Sequence, residues 1–330
     1  PAIAADEALQ TPANPVLPTT ELGRELPSQP VPRSCSDKTA AKQKAAAAAR
    51  EALLPGPDKW GGHRLTRTGC HGHTRMFRYG TVNSNLSVNL LDANLGMIMR
   101  TMHGFDISVL SITETNAKPG AVLTDTKGIA ERGIAGLKYM SLWAFMPKGR
   151  ATGGGTSIVW DARIPHRHPY TNASGRLAAV TLCGPKQSHI RVISVYAPAN
   201  PESEPDVVRQ LYKDLLNQTS FARRNSVPVM VLGDFNDVPA GDAVFAKRDK
   251  VYPQKYSLLK YLSNKCLDTF RVAYPHHHGH SHWRKNEVPS RIDSIHCPSG
   301  WLSSLMSPEA EASVDYTCAN FPSNHYPVLG

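Results

Sequence analysis

After Trp60 the chain breaks into short β-rich runs separated by Gly, Pro and Asn clusters, and the number of these runs decides what it can fold into. The predicted strands are Met76–Val82, Ile107–Ile112, Ser141–Met146, Thr156–Trp160, Leu177–Leu182, Ile190–Tyr196, Val227–Leu232, Thr269–Val272, Ile292–His296 and Tyr326–Leu329. Ten strands are too many for one doubly wound sheet. Helical spacing recurs in Leu90, Leu91, Leu95, Ile98, Met99 and Met102, and again in Val207, Val208, Leu211, Leu215 and Leu216. Two sheets packed face to face with helices outside absorb this pattern, so the expected class is an α/β sandwich.

The first 60 residues have a different texture. Seven prolines up to Pro32, with few aromatics, leave too little apolar area to offset chain entropy, so this stretch is predicted to be a tail. The Ala-, Lys- and Glu-rich stretch TAAKQKAAAAAREALLPGP then predicts a spacer helix closed by Pro55-Gly56-Pro57. The expected boundaries are a tail over 1–60 and one catalytic-sized domain over 61–330.

Charge follows the same division. Lys and Arg exceed Asp and Glu by ten, and the whole excess falls in residues 61–330, which makes a polyanion such as nucleic acid the expected partner. The uninterrupted apolar run of about 18 residues that a membrane span requires is missing, so no membrane is expected. Six scattered cysteines without a CxxC pair read as reduced thiols in an intracellular setting.

The sharpest local signal is VPVMVLGDFNDVP at 227–239, an apolar run with Gly233, Asp234 and Asn236 at its exit. A strand end is where a fold can hold a carboxylate rigidly and still expose it. Glu114 follows ISVLSIT in the same way, and Asp293 lies inside SRIDSI. Any one of these acids alone is ordinarily a cap or a surface group. Three together suit a hard divalent cation and phosphoryl chemistry.

In order, TVNSN at 81–85, LSITET at 110–115, VYAPAN at 195–200, GDFND at 233–237, DTFRVAYP at 268–275, SRID at 290–293 and SNHYPV at 323–328 resemble the motifs of the exonuclease–endonuclease–phosphatase superfamily. Within it the chain looks most like the exonuclease III branch and the apurinic-type endonucleases of LINE-type non-LTR retrotransposons. The resemblance implies a four-layer α/β sandwich and an Mg²⁺-dependent endonuclease, tolerant of Mn²⁺, that hydrolyses DNA phosphodiester bonds to leave a 3′-hydroxyl. For a retroelement enzyme the nick would prime reverse transcription in the nucleus.

Roles carry over position by position as implications of that resemblance. Glu114 would be the main Mg²⁺ ligand, with Asn83, Asn85 and Asn324 completing the metal shell. Tyr196 would set its phenol against the scissile phosphate, Asp234 would prepare the attacking water, and Asn236 would contact a phosphate oxygen. His325 would meet the developing charge as an imidazolium oriented by Asp293. Arg176, Asn200, Arg271, Trp283 and Arg291 would face the substrate.

Two positions depart from the family. Asn324 stands where Ser-Asp-His has its carboxylate, which removes the anionic field Mg²⁺ prefers and implies reduced activity. Asn200 comes one position late for the usual YxPN. These departures keep open a non-catalytic nucleic-acid-binding or assembly protein on the same scaffold, and the fold also admits a phosphoesterase or deadenylase. The histidines of HHHGHSHW at 276–283 read as structural or phosphate-contacting rather than as a zinc site.

Overall fold

The structure, a computed structural model of the 330-residue chain, describes residues 78–85, 98, 102–103, 107–117, 139–147, 153–184, 188–238, 257–274, 279–282, 289–301, 313–314, 325 and 328–329. All of them belong to the compact unit Arg67–Gly330. The expected tail and spacer helix, and most of the helical pattern of residues 90–102, lie outside the described residues.

Among the described residues, twelve strands form two six-stranded mixed sheets. The first runs β11(Ser313–Val314), β12(Val328–Leu329), β1(Tyr79–Asn83), β2(Val109–Thr113), β4(Thr156–Asp161) and β3(Tyr139–Ala144) from edge to edge. The second runs β5(His166–Thr171), β6(Leu177–Cys183), β7(His189–Tyr196), β8(Val229–Asp234), β10(Asp293–Pro298) and β9(Cys266–Asp268). Among the described strands, β1 with β2 and β7 with β8 pair in parallel and the other pairs are antiparallel. The α/β sandwich expected from the strand count is the observed fold.

Each sheet turns one face inward. Val109, Ile158 and Trp160 of the first sheet pack on Val180, Val192, Leu232 and Ile295 of the second in a continuous core. Because side chains alternate along a strand, two residues further on the same inward face carries Ser111, Thr156 and Ser194. Their hydroxyls meet across the gap, Ser194 Oγ lying 2.6 Å from both Ser111 Oγ and Thr156 Oγ1. Another two-residue step along the strands reaches Thr113 and Tyr196, and Asn83, Asp234 and Asp293 lie at the same strand ends, all buried. The sandwich interior therefore grades from hydrocarbon through hydroxyl to carboxylate, and the carboxylate end is where the acids converge.

The outer face of the second sheet is covered by α1(Pro205–Arg224) and α2(Leu258–Ser263). Leu211 and Leu215 of α1 and Leu258, Leu259 and Leu262 of α2 pack on Leu177, Ile193, Val195 and Val231. Pro205 and Asp206 suit the first turn of α1, where a missing N–H is harmless and negative charge is favoured.

One predicted strand is corrected. Residues 269–272 are helical, in the short α3(Thr269–Ala273), and the strand there is β9 just before it. The Asp268 side chain accepts from Arg271 N at 3.3 Å, an N-cap that overrides the β preference of Thr269 and Val272. Two strands escape the apolar pattern, β5, which is almost wholly exposed and holds Pro169, and the two-residue β11. Cys183, Cys266 and Cys297 are free thiols.

Candidate active site

Asp234 closes β8 and Asp293 opens β10, and the antiparallel register sets them directly opposite one another. Parallel pairing on the other side of β8 brings Tyr196, the last residue of β7, level with Asp234. Close approach of the chains makes this possible. Gly233 has φ +146°, and a Cβ there would lie 1.9 Å from Val195 O, so only glycine lets β8 press onto β7 just before its carboxylate emerges.

The first sheet supplies the opposing groups. The Asn83 side-chain nitrogen at the end of β1 donates to Glu114 Oε2 at 3.0 Å and to Asp234 Oδ2 at 2.7 Å, linking the two sheets through one amide. Asn83 Oδ1 accepts from Asn85 N at 3.0 Å, which fixes the amide's orientation. Glu114, Asn85 and Asn236 adopt left-handed backbone angles (φ +53°, +42° and +48°), a cluster of the kind found where side chains are held for chemistry.

Beyond Asp234 the contacts continue. Its Oδ1 accepts from Asn236 N at 2.8 Å, while Asn236 Nδ2 donates to Ala197 O at 2.8 Å. Asp293 Oδ2 accepts from His325 Nδ1 and from Ser281 Oγ, both at 2.8 Å. Ser281 Oγ in turn receives the Ile292 and Asp293 amides at 3.2 and 3.0 Å. The His282 ring lies against His325, centroids 4.6 Å apart and planes at 53°.

Electrostatics set the protonation states. Burial, reinforced by the Asp293 charge, pushes the Asp234 carboxyl up to about 7, with His325 and the Asn83 and Asn236 hydrogen bonds pulling the other way. For His325, burial alone would disfavour the imidazolium, but the hydrogen-bonded Asp293 carboxylate outweighs it and raises the pKa above the usual imidazole value. Burial, with Glu114 and Asp234 nearby, lifts the Tyr196 phenol far above its ordinary range and keeps it neutral.

The residues present fit a divalent cation. Ligand atoms of Asp234, Asp293 and His325 lie within 4.8 Å of one another. Asp293 Oδ1 is buried without a hydrogen-bond partner among the described residues, an uncompensated acceptor that positive charge would satisfy. Half-buried Glu114, joined to this group through Asn83, adds a further hard oxygen donor.

Two of the expected substrate-facing residues, Arg176 and Arg291, are buried. Arg176 is only 2% exposed, and its guanidinium donates to Tyr196 O and Gly153 O, pairs with Glu204 at 3.4 Å and lies 5.1 Å from the Tyr196 ring centroid. The expectation of a surface contact gives way to a buried arginine that ties the Gly153 loop and the start of α1 to Tyr196. Arg291 is likewise buried, its guanidinium forked onto Asp268 at 3.1 and 2.7 Å. Arg271 donates to Tyr274 O, and Asn200 is exposed. Asn324 and Trp283 lie outside the described residues.

Three contributors escaped the sequence reading. Ser281 and His282 were submerged in a histidine-rich run. Asn116 Oδ1 accepts from Gly153 N and Gly154 N at 3.0 and 3.3 Å and so seats the Gly-rich loop beside Glu114. A polar residue two positions after an acid at a strand exit is the signal that could have found it.

Comparison with known proteins agrees with the fold. The sequence model of the endonuclease/exonuclease/phosphatase family matches residues 83–318. No curated protein sequence matches at a significant level. Among solved structures, the chain resembles a variant of the 3′ phosphatase NExo from Neisseria bound to a product DNA hairpin, with TM-score 0.55 and 18% identity over 77% of this chain and 98% of that one. It also resembles an AP endonuclease from Archaeoglobus fulgidus, with TM-score 0.55 and 16% identity over 77% of this chain and 98% of that one. For the AP endonuclease LMAP from Leishmania major the values are TM-score 0.60 and 16% identity over 77% and 87%. At such identities the likeness speaks for the fold.

Proposed function

The chain belongs to the endonuclease/exonuclease/phosphatase family, and from that premise we propose that it hydrolyses phosphodiester bonds in DNA with the help of Mg²⁺, for which Mn²⁺ can substitute. The observation that carries this reading is the Asn83 amide shared by Glu114 and Asp234, which couples a hard oxygen donor to a proton acceptor. Glu114, Asn83 and Asn85, with Asn324, would hold the metal beside the Asp234–Asp293–His325 group, and when bound it would supply positive charge to that buried carboxylate pair and to the phosphate oxygens.

The chain's own residues supply the rest. Asp234, fixed by hydrogen bonds on both oxygens, takes the proton from the attacking water. Its pKa of about 7 keeps it near the balance between ionised and protonated at working pH. His325, held through Nδ1 by Asp293, meets the phosphate as a cation. The neutral Tyr196 hydroxyl donates to a phosphate oxygen, and the second hydrogen of Asn236 Nδ2 can do the same. A net charge of +10 supports a polyanionic substrate. The finer reading, a target-nicking retroelement endonuclease slowed by Asn324, rests on the Asn-x-Asn at Asn83 and Asn85 and the missing carboxylate at 324.

The test is a supercoiled-plasmid assay with Mg²⁺, run beside poly(A) and inositol phosphates. Nicking by the parent chain, abolished in Glu114→Ala and raised about tenfold in Asn324→Asp, is the expected result. Preferential turnover of poly(A) or inositol phosphates would move the assignment to the deadenylase or phosphatase reading. DNA binding without cleavage in the parent and in Asn324→Asp would leave the non-catalytic scaffold.

A further inference from the structure

We infer that His282 is a positioning residue that fixes the plane of the His325 imidazole; the inference rests on the hydrolytic reading of the site. Asp293 holds His325 by a hydrogen bond at Nδ1. That bond sets the distance, while the plane of the ring is a separate degree of freedom decided by what packs against it, since the second torsion of histidine has broad minima. Any tilt would carry the opposite edge of the ring, the edge that meets the phosphate, away from its target.

The His282 ring is placed to remove that freedom. It is 3% exposed and lies 4.6 Å from the His325 ring, tilted by 53°, so rotation of either ring meets the other. His282 is itself immobilised. Its backbone exchanges hydrogen bonds with Ser290, N to O at 2.9 Å and O from N at 3.1 Å, and it forms a second antiparallel bridge to His325. Its Nδ1 lies 3.4 Å from Ser290 Oγ.

The neighbouring residue strengthens the case. Ser281 Oγ donates to the same Asp293 oxygen that holds His325. Two consecutive residues thus take the two halves of one pair, Ser281 the carboxylate and His282 the imidazole. An ordinary buried histidine would need no such placement between Ser290, which leads into Asp293, and His325.

The experiment compares His282→Ala with His282→Phe, which keeps an aromatic ring and removes both nitrogens. With plasmid as substrate, His282→Ala should lower kcat about tenfold with KM within about twofold of the parent, and His282→Phe should recover most of the loss, because misplacing a reacting group costs rate rather than binding. Independently of turnover, NMR of ¹⁵N-imidazole-labelled protein should show the Nδ1-bound His325 proton as a sharp downfield signal in the parent and in His282→Phe, and broadened or lost in folded His282→Ala. An unchanged His325 signal in His282→Ala, or His282→Phe as impaired as His282→Ala, overturns the inference. A parent that does not cut sinks the hydrolytic reading alone, and the NMR comparison still decides His282.

Discussion

Asp293 lies directly across the antiparallel ladder from Asp234, and both carboxyls are buried. Like charges at facing strand positions are unfavourable even at a surface. Here the pair is answered by His325 and by amide donors, with no Lys or Arg ion pair to either among the described residues. The fold therefore carries a local cost whose relief requires a proton or a cation, and stability and chemistry become linked through pH and metal.

The stability consequence has a definite sign. A carboxyl raised from 3.8 to about 7 binds its proton more tightly in the folded state, so Asp234 lowers stability progressively as pH rises through that window. Asp234→Asn removes the ionisation. In chelator, its unfolding free energy should exceed the parent's by more than about 1 kcal/mol at pH 8, with no gain at pH 4, as measured by urea denaturation. A gain independent of pH would mean that Asp234 does not titrate as described.

Activity should follow a bell-shaped pH profile. The rate should rise as Asp234 ionises near pH 7 and fall above the ordinary imidazole value as His325 loses its proton. Raising Mg²⁺ should shift the acid limb to lower pH, because a bound cation favours the ionised carboxylate. His325→Gln should remove the alkaline limb together with most of the activity. An acid limb that ignores Mg²⁺ would separate the metal from Asp234.

Metal binding can be read without turnover. Mg²⁺ at a hundred times its Kd should add about 2.7 kcal/mol to stability, seen as a rise in Tm. Glu114→Gln should abolish most of that rise while leaving the chelated protein's Tm near the parent's, since Glu114 is only half-buried. An undiminished rise in Glu114→Gln would place the cation elsewhere.

Gly233→Ala tests the backbone. A methyl group 1.9 Å from Val195 O cannot be accommodated without parting β7 from β8. The variant should lose at least about 3 kcal/mol of stability by denaturant unfolding, and any folded fraction should lack activity because Tyr196 and Asp234 move apart. A variant as stable as the parent would show that the two strands can separate freely.

The acids were legible because each lies at one end of an apolar run, Glu114 and Asp234 where the chain leaves the core and Asp293 where it enters, and an apolar run long enough for a buried strand marks both ends. That is why Glu114, Asp234 and Asp293 could be picked out before any geometry was known. The sandwich was legible from the number of runs. β5 was hidden because an edge strand with few neighbours needs little hydrophobicity, and α3 because a cap supplied by one aspartate outweighs β-branched side chains. The buried settings of Arg176 and Arg291 were illegible for a different reason: their partners Glu204 and Asp268 are distant in sequence, and a charge pattern read along the chain cannot show which cations are paired across it.

The gradation of the sandwich interior bears on how such a domain can diversify. Residues that hold the sheets together, such as Ile158, Val192 and Leu232, occupy one stretch of each inward face, and residues able to touch a substrate, such as Tyr196, Asp234 and Asn236, occupy its end. The hydroxyls of Ser111, Thr156 and Ser194 lie between them as a buffer. Substitutions at the polar pole can therefore alter which groups meet a ligand while the apolar pole goes on holding the sheets together, and drift at the apolar pole can be absorbed without retuning the chemistry. Adaptation and robustness are assigned to opposite ends of the same strands.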